Sequence, residues 1–97
     1  MQGYPVMPQE GTIGAYVRIT ALSTAVPLPS IPANVKYAVV QCEGNDVRWR
    51  ADGTNPTATD GMWMPAGTER IFDSGAIAAL RFIQAGPASI LNVNYFV

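Results

Sequence analysis

Residues 35–51, VKYAVVQCEGNDVRWRA, contain two apolar runs separated by the turn signal Gly44-Asn45. The first run, 35–42, is almost continuously apolar, which is typical of a strand covered on both faces. The second run, 46–51, alternates between polar and apolar residues, and Trp49 lies on its apolar face. Because Gly-Asn pairs favour tight turns between strands, we predict that the two runs form a β-hairpin.

Short apolar runs bounded by turn residues continue along the whole chain. Nine glycines and eight prolines interrupt it, and no stretch keeps a helical period over three turns. Strands are expected at 15–22, 35–42, 46–51, 62–64, 69–73, 79–84 and 90–97. Such closely spaced strands predict an all-β fold, namely a small β-sandwich or barrel of six to seven short antiparallel strands.

The last two strands are expected to pair with each other. Residues 79–84 and 90–97 flank Gly86-Pro87, which is a turn signal. Within 90–97, Asn92 and Asn94 are predicted on one face of the strand, and the opposite face is predicted to carry Leu91, Val93, Tyr95 and Val97.

Residues 26–32, VPLPSIP, contain three prolines. Proline cannot donate a hydrogen bond to a neighbouring strand, so this segment is predicted to be a stiff connector or an edge strip. We expect its apolar residues Leu28 and Ile31 to contact a partner.

The first fourteen residues differ in character from the rest of the chain. Their glycines and prolines disfavour regular structure, yet the segment contains the apolar residues Tyr4, Val6, Met7 and Ile13. Extended peptides with spaced apolar anchors add to a neighbour's groove or sheet edge. We therefore predict an extended N-terminal arm over 1–14 that latches onto another subunit, followed by a single β domain over 15–97. The alternative is that the arm folds back over its own domain.

Charge is sparse in this protein. Charged residues make up 13% of the chain, the net charge is −1 and 48% of residues are hydrophobic, whereas soluble domains average about 25% charged residues. A surface of this kind indicates an exterior that other subunits cover, so we expect a homo-oligomer or a larger assembly. The scattered basic residues do not indicate nucleic acid, and no apolar stretch approaches the ~20 residues of a membrane helix. No secretory signal is seen at the N-terminus, which predicts synthesis in the cytoplasm.

The residues offer little for catalysis. Histidine is absent, which removes the commonest general acid or base. Asp52, Asn55 and Asp60 could supply oxygen ligands, but their spacing lacks the order of a calcium-binding loop. Cys42 lies in a predicted strand, where a free cysteine usually behaves as a small buried hydrophobe. We predict no enzymatic activity, no cofactor and no metal site.

Met62, Trp63 and Met64 follow a polar loop and are the best candidates for an exposed contact surface. Methionine and tryptophan together suit an adaptable protein interface. Trp49 is instead predicted to be a core anchor. An alternative use of Trp63 is to stack on a sugar ring, with residues 54–61 as the neighbouring loop.

Arg48 and Arg50 share a strand face and allow two interpretations. They could bind a carboxylate of a partner, since arginine pairs with carboxylates in a bidentate way. They could equally pair within the chain, and the carboxylates within reach across strands are those of Glu43, Asp52 and Glu69.

Residues 47–67, VRWRADGTNPTATDGMWMPAG, resemble small virion structural proteins of tailed bacteriophages. In these proteins an arginine-containing strand, a DG-x-x-PTA loop and a PAG turn precede a closing pair of strands, here 80–83 and 91–95. The likeness covers residues 36–97 and leaves out the arm.

The resemblance implies a non-enzymatic β domain at many equivalent positions of a virion. A capsid decoration or cement subunit would bind the major capsid protein and other neighbouring subunits. A head-to-tail connector or tail accessory protein would use the same features to form a ring. A carbohydrate-binding or host-binding module is the alternative from a different functional class.

Overall fold

The computed structural model describes residues 13–97, which fold into two facing antiparallel sheets. Their elements are β1 (Ile13–Ile19), β2 (Val26–Pro27), β3 (Tyr37–Glu43), β4 (Val47–Arg50), β5 (Met62–Met64), β6 (Glu69–Asp73), the helical turn α1 (Ser74–Ile77), β7 (Arg81–Gln84) and β8 (Ile90–Phe96). The first sheet has the order β1-β8-β3-β6 and the second sheet has the order β2-β7-β4-β5. This is the strand order of a jelly roll. The predicted small all-β sandwich is confirmed, but the described residues form eight strands and not the predicted six to seven.

The core lies between the two sheets and follows from the alternation of side chains along each strand. In β8, Leu91, Val93 and Tyr95 are fully buried, whereas Asn92 and Asn94 lie on the other face. This is the arrangement that the sequence predicts. Trp49 packs against the core as predicted, and its ring meets that of Phe72 edge-on at 5.0 Å.

Both predicted strand pairs are wrong. β3 belongs to the first sheet and β4 to the second, so residues 44–46 cross from one sheet to the other. β7 and β8 are likewise in different sheets, and residues 85–89 make that crossing. Instead, β3 pairs with β8 and β4 pairs with β7. The turn residues mark the ends of strands correctly, but distant partners decide which sheet each strand joins.

The two crossings lie side by side and form one corner of the sandwich. The Ser89 hydroxyl donates to the carbonyl oxygen of Asp46 at 2.7 Å, and the Asn45 side-chain amide donates to that of Pro87 at 3.2 Å. Gly44 has a φ of 84°, a conformation that favours glycine. The corner lets a two-stranded ribbon, β3 with β8, continue as β4 with β7 in the opposite sheet.

The proline-rich segment contributes an edge strand, in agreement with one of its two predicted roles. Among the strands of residues 13–97, β2 pairs only with β7 and lies at the edge of the second sheet. Its neighbour Leu28 was expected at a partner surface, but it is only 4% exposed and belongs to the core. The Tyr95 hydroxyl donates to the carbonyl oxygen of Pro29 at 2.5 Å, which anchors the segment over the interior. Ile31 remains partly exposed at 37%.

The predicted arm falls largely outside the described residues. This applies to Tyr4, Val6 and Met7. Ile13, which the sequence assigned to the arm, begins β1 and is in register with Phe96 of β8. The β domain therefore includes Ile13 and Gly14.

Candidate functional site

Strand β5 presents an aromatic and a thioether side chain at the edge of the second sheet. Trp63 is 60% exposed and Met62 is 56% exposed. Met64 was expected at the same surface, but it is 1% exposed and lies in the core. Its position opposite Val47 of β4 turns it toward the first sheet, where Val47 is also buried.

Trp63 is held in place despite its exposure. Its indole Nε1–H donates to Oδ2 of Asp46 at 3.0 Å, and Oδ1 of Asp46 accepts the backbone N–H of Ala66 at 2.9 Å. These two hydrogen bonds lower the pKa of Asp46 below its ordinary value, and the bond from Ala66 has the larger effect. Asp46 is therefore ionised at neutral pH and fixes the orientation of the indole.

Trp63 is the first of three neighbouring side chains that lie across β5, β4 and β7. Arg48 lies directly opposite Trp63, and Ile83 of β7 lies on the other side of Arg48. Residues opposite one another in antiparallel strands project from the same face, and Phe82, the neighbour of Ile83, is buried on the inner face. The Trp63 row, comprising Trp63, Arg48 and Ile83, therefore occupies the outer face of the second sheet.

The two arginines hold the loop between β4 and β5. Arg48 Nη1 donates to the carbonyl oxygen of Gly61 at 3.1 Å. Arg50 donates to both oxygens of Asp52, at 3.1 and 2.5 Å, and its Nη1 lies 3.7 Å from Asp60. The structure thus favours pairing within the chain for Arg50, with Asp52 as the partner among the three candidate carboxylates.

A second surface lies on the outer face of the first sheet. An open trough of about 380 Å³ crosses all four strands of this sheet. We call it the amide trough, and its lining residues are Tyr16, Arg18, Val39, Gln41, Glu43, Glu69, Asn92 and Asn94. The sequence predicted that β3 is covered on both faces, but this outer face is open: Gln41 is exposed and Val39 is half-buried.

Hydrogen bonds connect the side chains of the amide trough. The Tyr16 hydroxyl donates to Oδ1 of Asn92 at 2.7 Å. The Asn92 amide donates to Oε1 of Gln41 at 3.2 Å and to Oε1 of Glu43 at 2.7 Å. Arg18 lies 4.0 Å from Glu43. This site was not predicted from the sequence. The two asparagines in β8 were a signal for it, because asparagine is depleted in strands.

Cys42 is buried in β3, as predicted. Its thiol donates to the carbonyl oxygen of Asn45 at 2.9 Å. Burial, followed by the nearby charge of Asp46, raises the pKa of the Cys42 thiol to about 11. The thiolate is the reactive form of cysteine, so this side chain contributes packing and not nucleophilic chemistry at neutral pH.

Alkaline pH is expected to destabilise the fold. Burial raises the pKa of Tyr95 to about 12, and that of Cys42 is raised to about 11. In the unfolded chain these groups ionise near their ordinary values of 10.0 and 9.0. The unfolded state therefore binds fewer protons in this range, and the stabilisation present below pH 9.0 is lost as the pH rises toward about 12. The midpoint of urea unfolding measures this decline.

The variants Cys42→Ala and Tyr95→Phe separate the two contributions. We expect Cys42→Ala to flatten the lower part of the pH dependence and Tyr95→Phe to flatten the upper part. Both variants lose some stability at neutral pH because they remove buried contacts. If the pH dependence of stability has the same slope in both variants as in the unchanged protein, Cys42 and Tyr95 are not the groups responsible.

Comparisons with models of known protein families, with curated proteins and with solved structures found no match for this chain. Within residues 13–97 no helix is both long and apolar enough to span a membrane. The same residues contain no group of three histidine, cysteine or carboxylate side chains placed to hold a metal ion. The molecule is therefore characterised by its jelly-roll topology and by two outer surfaces of different chemistry, the Trp63 row and the amide trough.

Proposed function

We propose that this chain is a non-enzymatic structural subunit of a tailed-phage virion that decorates the capsid and binds neighbouring shell subunits through the Trp63 row. The proposal rests on one observation above all: Trp63 is 60% exposed and yet is oriented by Asp46. An aromatic side chain that is already ordered loses little conformational entropy on binding. Tryptophan and arginine are also the residues most enriched where binding energy concentrates in protein interfaces.

Two further observations support the same function. The chain has few charged residues, and interface centres are depleted in charge. Residues 36–97 resemble small virion proteins in their turn and strand motifs. Viral capsid proteins, lectins and cupins all use jelly rolls, so the topology agrees with the proposal but does not select it.

Replacing Trp63 with alanine is expected to weaken attachment to the capsid by about thirtyfold or more, which corresponds to the loss of about 2 kcal/mol at a central interface residue. The measurement is co-sedimentation of the purified variant with particles that lack the protein. Tyr16→Ala is a matched control, because Tyr16 is similarly exposed at 55% but lies on the first sheet. Equal loss in both variants, or in neither, would contradict this role of the Trp63 row.

Particles without the protein test the cementing role itself. Burial of apolar surface contributes roughly 25 cal/mol per Å², so many copies together should hold the shell against the pressure of packaged DNA. We expect such particles to release DNA at a lower temperature than complete particles. Copy number distinguishes the two virion roles: a decoration subunit is present in numbers comparable to the major capsid protein, whereas a connector or tail accessory protein forms a single ring.

A further inference from the structure

The amide trough contains a continuous row of polar side chains. Arg18 of β1 is in register with Asn92 of β8, Asn92 with Gln41 of β3, and Gln41 with Glu69 of β6. Because residues in register project from the same face, the row spans all four strands of the first sheet. Two amides occupy its centre and opposite charges occupy its ends.

A second row lies beside the first and adds an aromatic ring. Tyr16 is in register with Asn94, and Asn94 is in register with Val39. Tyr16 is 55% exposed, and its hydroxyl is fixed by Asn92. The ring is therefore accessible at the margin of the trough while its position is set.

The hydrogen bonds of the trough leave donors and acceptors for a ligand. Asn92 donates both of its amide hydrogens, to Gln41 and to Glu43, and so fixes the positions of these two side chains. The amide nitrogen of Gln41 and the whole amide of Asn94 make no side-chain hydrogen bond within residues 13–97. Each amide can donate and accept at the same time, which matches the adjacent hydroxyl groups of a polyol.

The charges of the trough exclude several other ligands. The carboxylates of Glu43 and Glu69 outnumber the single guanidinium of Arg18, which disfavours phosphate and other anions. Arg18 lies 4.0 Å from Glu43, which leaves the carboxylate of Glu69 without an ion pair among the described residues. One such carboxylate does not make a metal site, and residues 13–97 contain no group of three histidine, cysteine or carboxylate side chains placed to hold a metal ion. The polar lining also disfavours an apolar peptide. After anions, cations and apolar peptides are excluded, the ligand class that fits the trough is a neutral molecule with many hydroxyl groups and one apolar face.

From this combination we infer that the amide trough is a binding site for a neutral saccharide. The amides of Gln41 and Asn94 contact its hydroxyl groups, and the Tyr16 ring packs on its apolar C–H face, where the negative face of an aromatic ring is attractive. An open trough of this size binds weakly, with a Kd of about 1 mM. Many copies on one particle would raise the avidity. The site differs from the sugar-stacking use of Trp63 considered from the sequence, since Trp63 lies on the other sheet.

The test is an NMR titration of the isotopically labelled full chain with maltotriose, cellotriose, chitotriose and mannotriose. We expect at least one of them to shift the side-chain amide resonances of Gln41, Asn92 and Asn94. Tyr16→Ala should weaken that binding about tenfold, whereas Tyr16→Phe, which keeps the ring, should retain most of it. Trp63→Ala should leave it unchanged.

Two results would overturn the inference. One is that none of the four trisaccharides shifts the amides of the trough. The other is that a bound trisaccharide shifts residues 54–63 instead, which would place the sugar at the loop and Trp63. Binding is measured on the isolated chain, so either result leaves the proposed attachment through the Trp63 row standing.

Discussion

Replacing Phe82 with alanine is expected to lower the free energy of unfolding by about 3 to 5 kcal/mol. Phe82 is fully buried in β7, a central strand of the second sheet, and its ring meets that of Phe72 edge-on at 6.1 Å. Alanine would remove this contact and leave a cavity between the sheets that the surrounding strands cannot close. Domains of this size are typically stable by only about 5 to 10 kcal/mol, so the variant would be close to unfolding.

Thermal and urea unfolding measure this loss. For a domain of this length each kcal/mol shifts Tm by about 4 to 8 °C, so the expected decrease in Tm is about 12 °C or more. Ile83→Ala is the matched control, because Ile83 is the next residue and lies half-buried on the outer face. We expect it to cost less than about 1 kcal/mol. A similar loss in both variants would mean that β7 does not face the core as described.

Replacing Gly44 with alanine is expected to destabilise the fold by about 3 kcal/mol or more, through backbone strain and steric overlap together. A matching substitution at Gly53 separates these two effects. Gly44 and Gly53 have nearly equal φ values, 84° and 81°, and an L residue in this conformation costs roughly 1 to 2 kcal/mol. Gly53 has open space around it, whereas a Cβ at Gly44 would overlap the carbonyl oxygen of Ala88. That overlap would force the two crossings apart.

The comparison of Gly44→Ala with Gly53→Ala therefore isolates the close approach at the corner. Both variants lose the conformational freedom of glycine, so their difference reports the contact with Ala88. Urea unfolding of the two variants at the same pH provides the measurement. If Gly53→Ala proves as destabilising as Gly44→Ala, backbone conformation alone accounts for the effect and the corner is looser than the structure indicates.

Local features of the chain predicted its strands well, because alternation and proline content act over a few residues. The faces of β8, the core position of Trp49 and the edge position of residues 26–27 all follow from such patterns. The pairing of strands could not be predicted in the same way. Gly44-Asn45 marks a turn, but only β8 and β7, which lie far along the chain, determine that β3 and β4 join different sheets.

The candidate surfaces also divide into features that local sequence predicts and features that depend on distant strands. Exposure of Met62 and Trp63 follows from their position after a polar loop, whereas Leu28 and Met64 were wrongly expected at the surface. The residues next to Leu28 do not indicate that Tyr95 anchors its segment through Pro29. The residues next to Met64 do not indicate that it lies opposite the buried Val47. The amide trough combines residues from β1, β3, β6 and β8, so its chemistry can be recognised only after the first sheet is assembled.

The position of β8 between β1 and β3 has a consequence for synthesis on the ribosome. β1 leaves the ribosome early, but its ladder partner in the first sheet is β8, whose residues 90–96 are made much later. Until then β1 lacks its partner among the described strands, and β3 can pair with β6 but has one edge open. Unpaired strand edges promote aggregation. The first sheet therefore cannot be completed before Ile90–Phe96 has been made. A pause before that segment would prolong the exposure of the open edges, and premature termination there would release an aggregation-prone polypeptide.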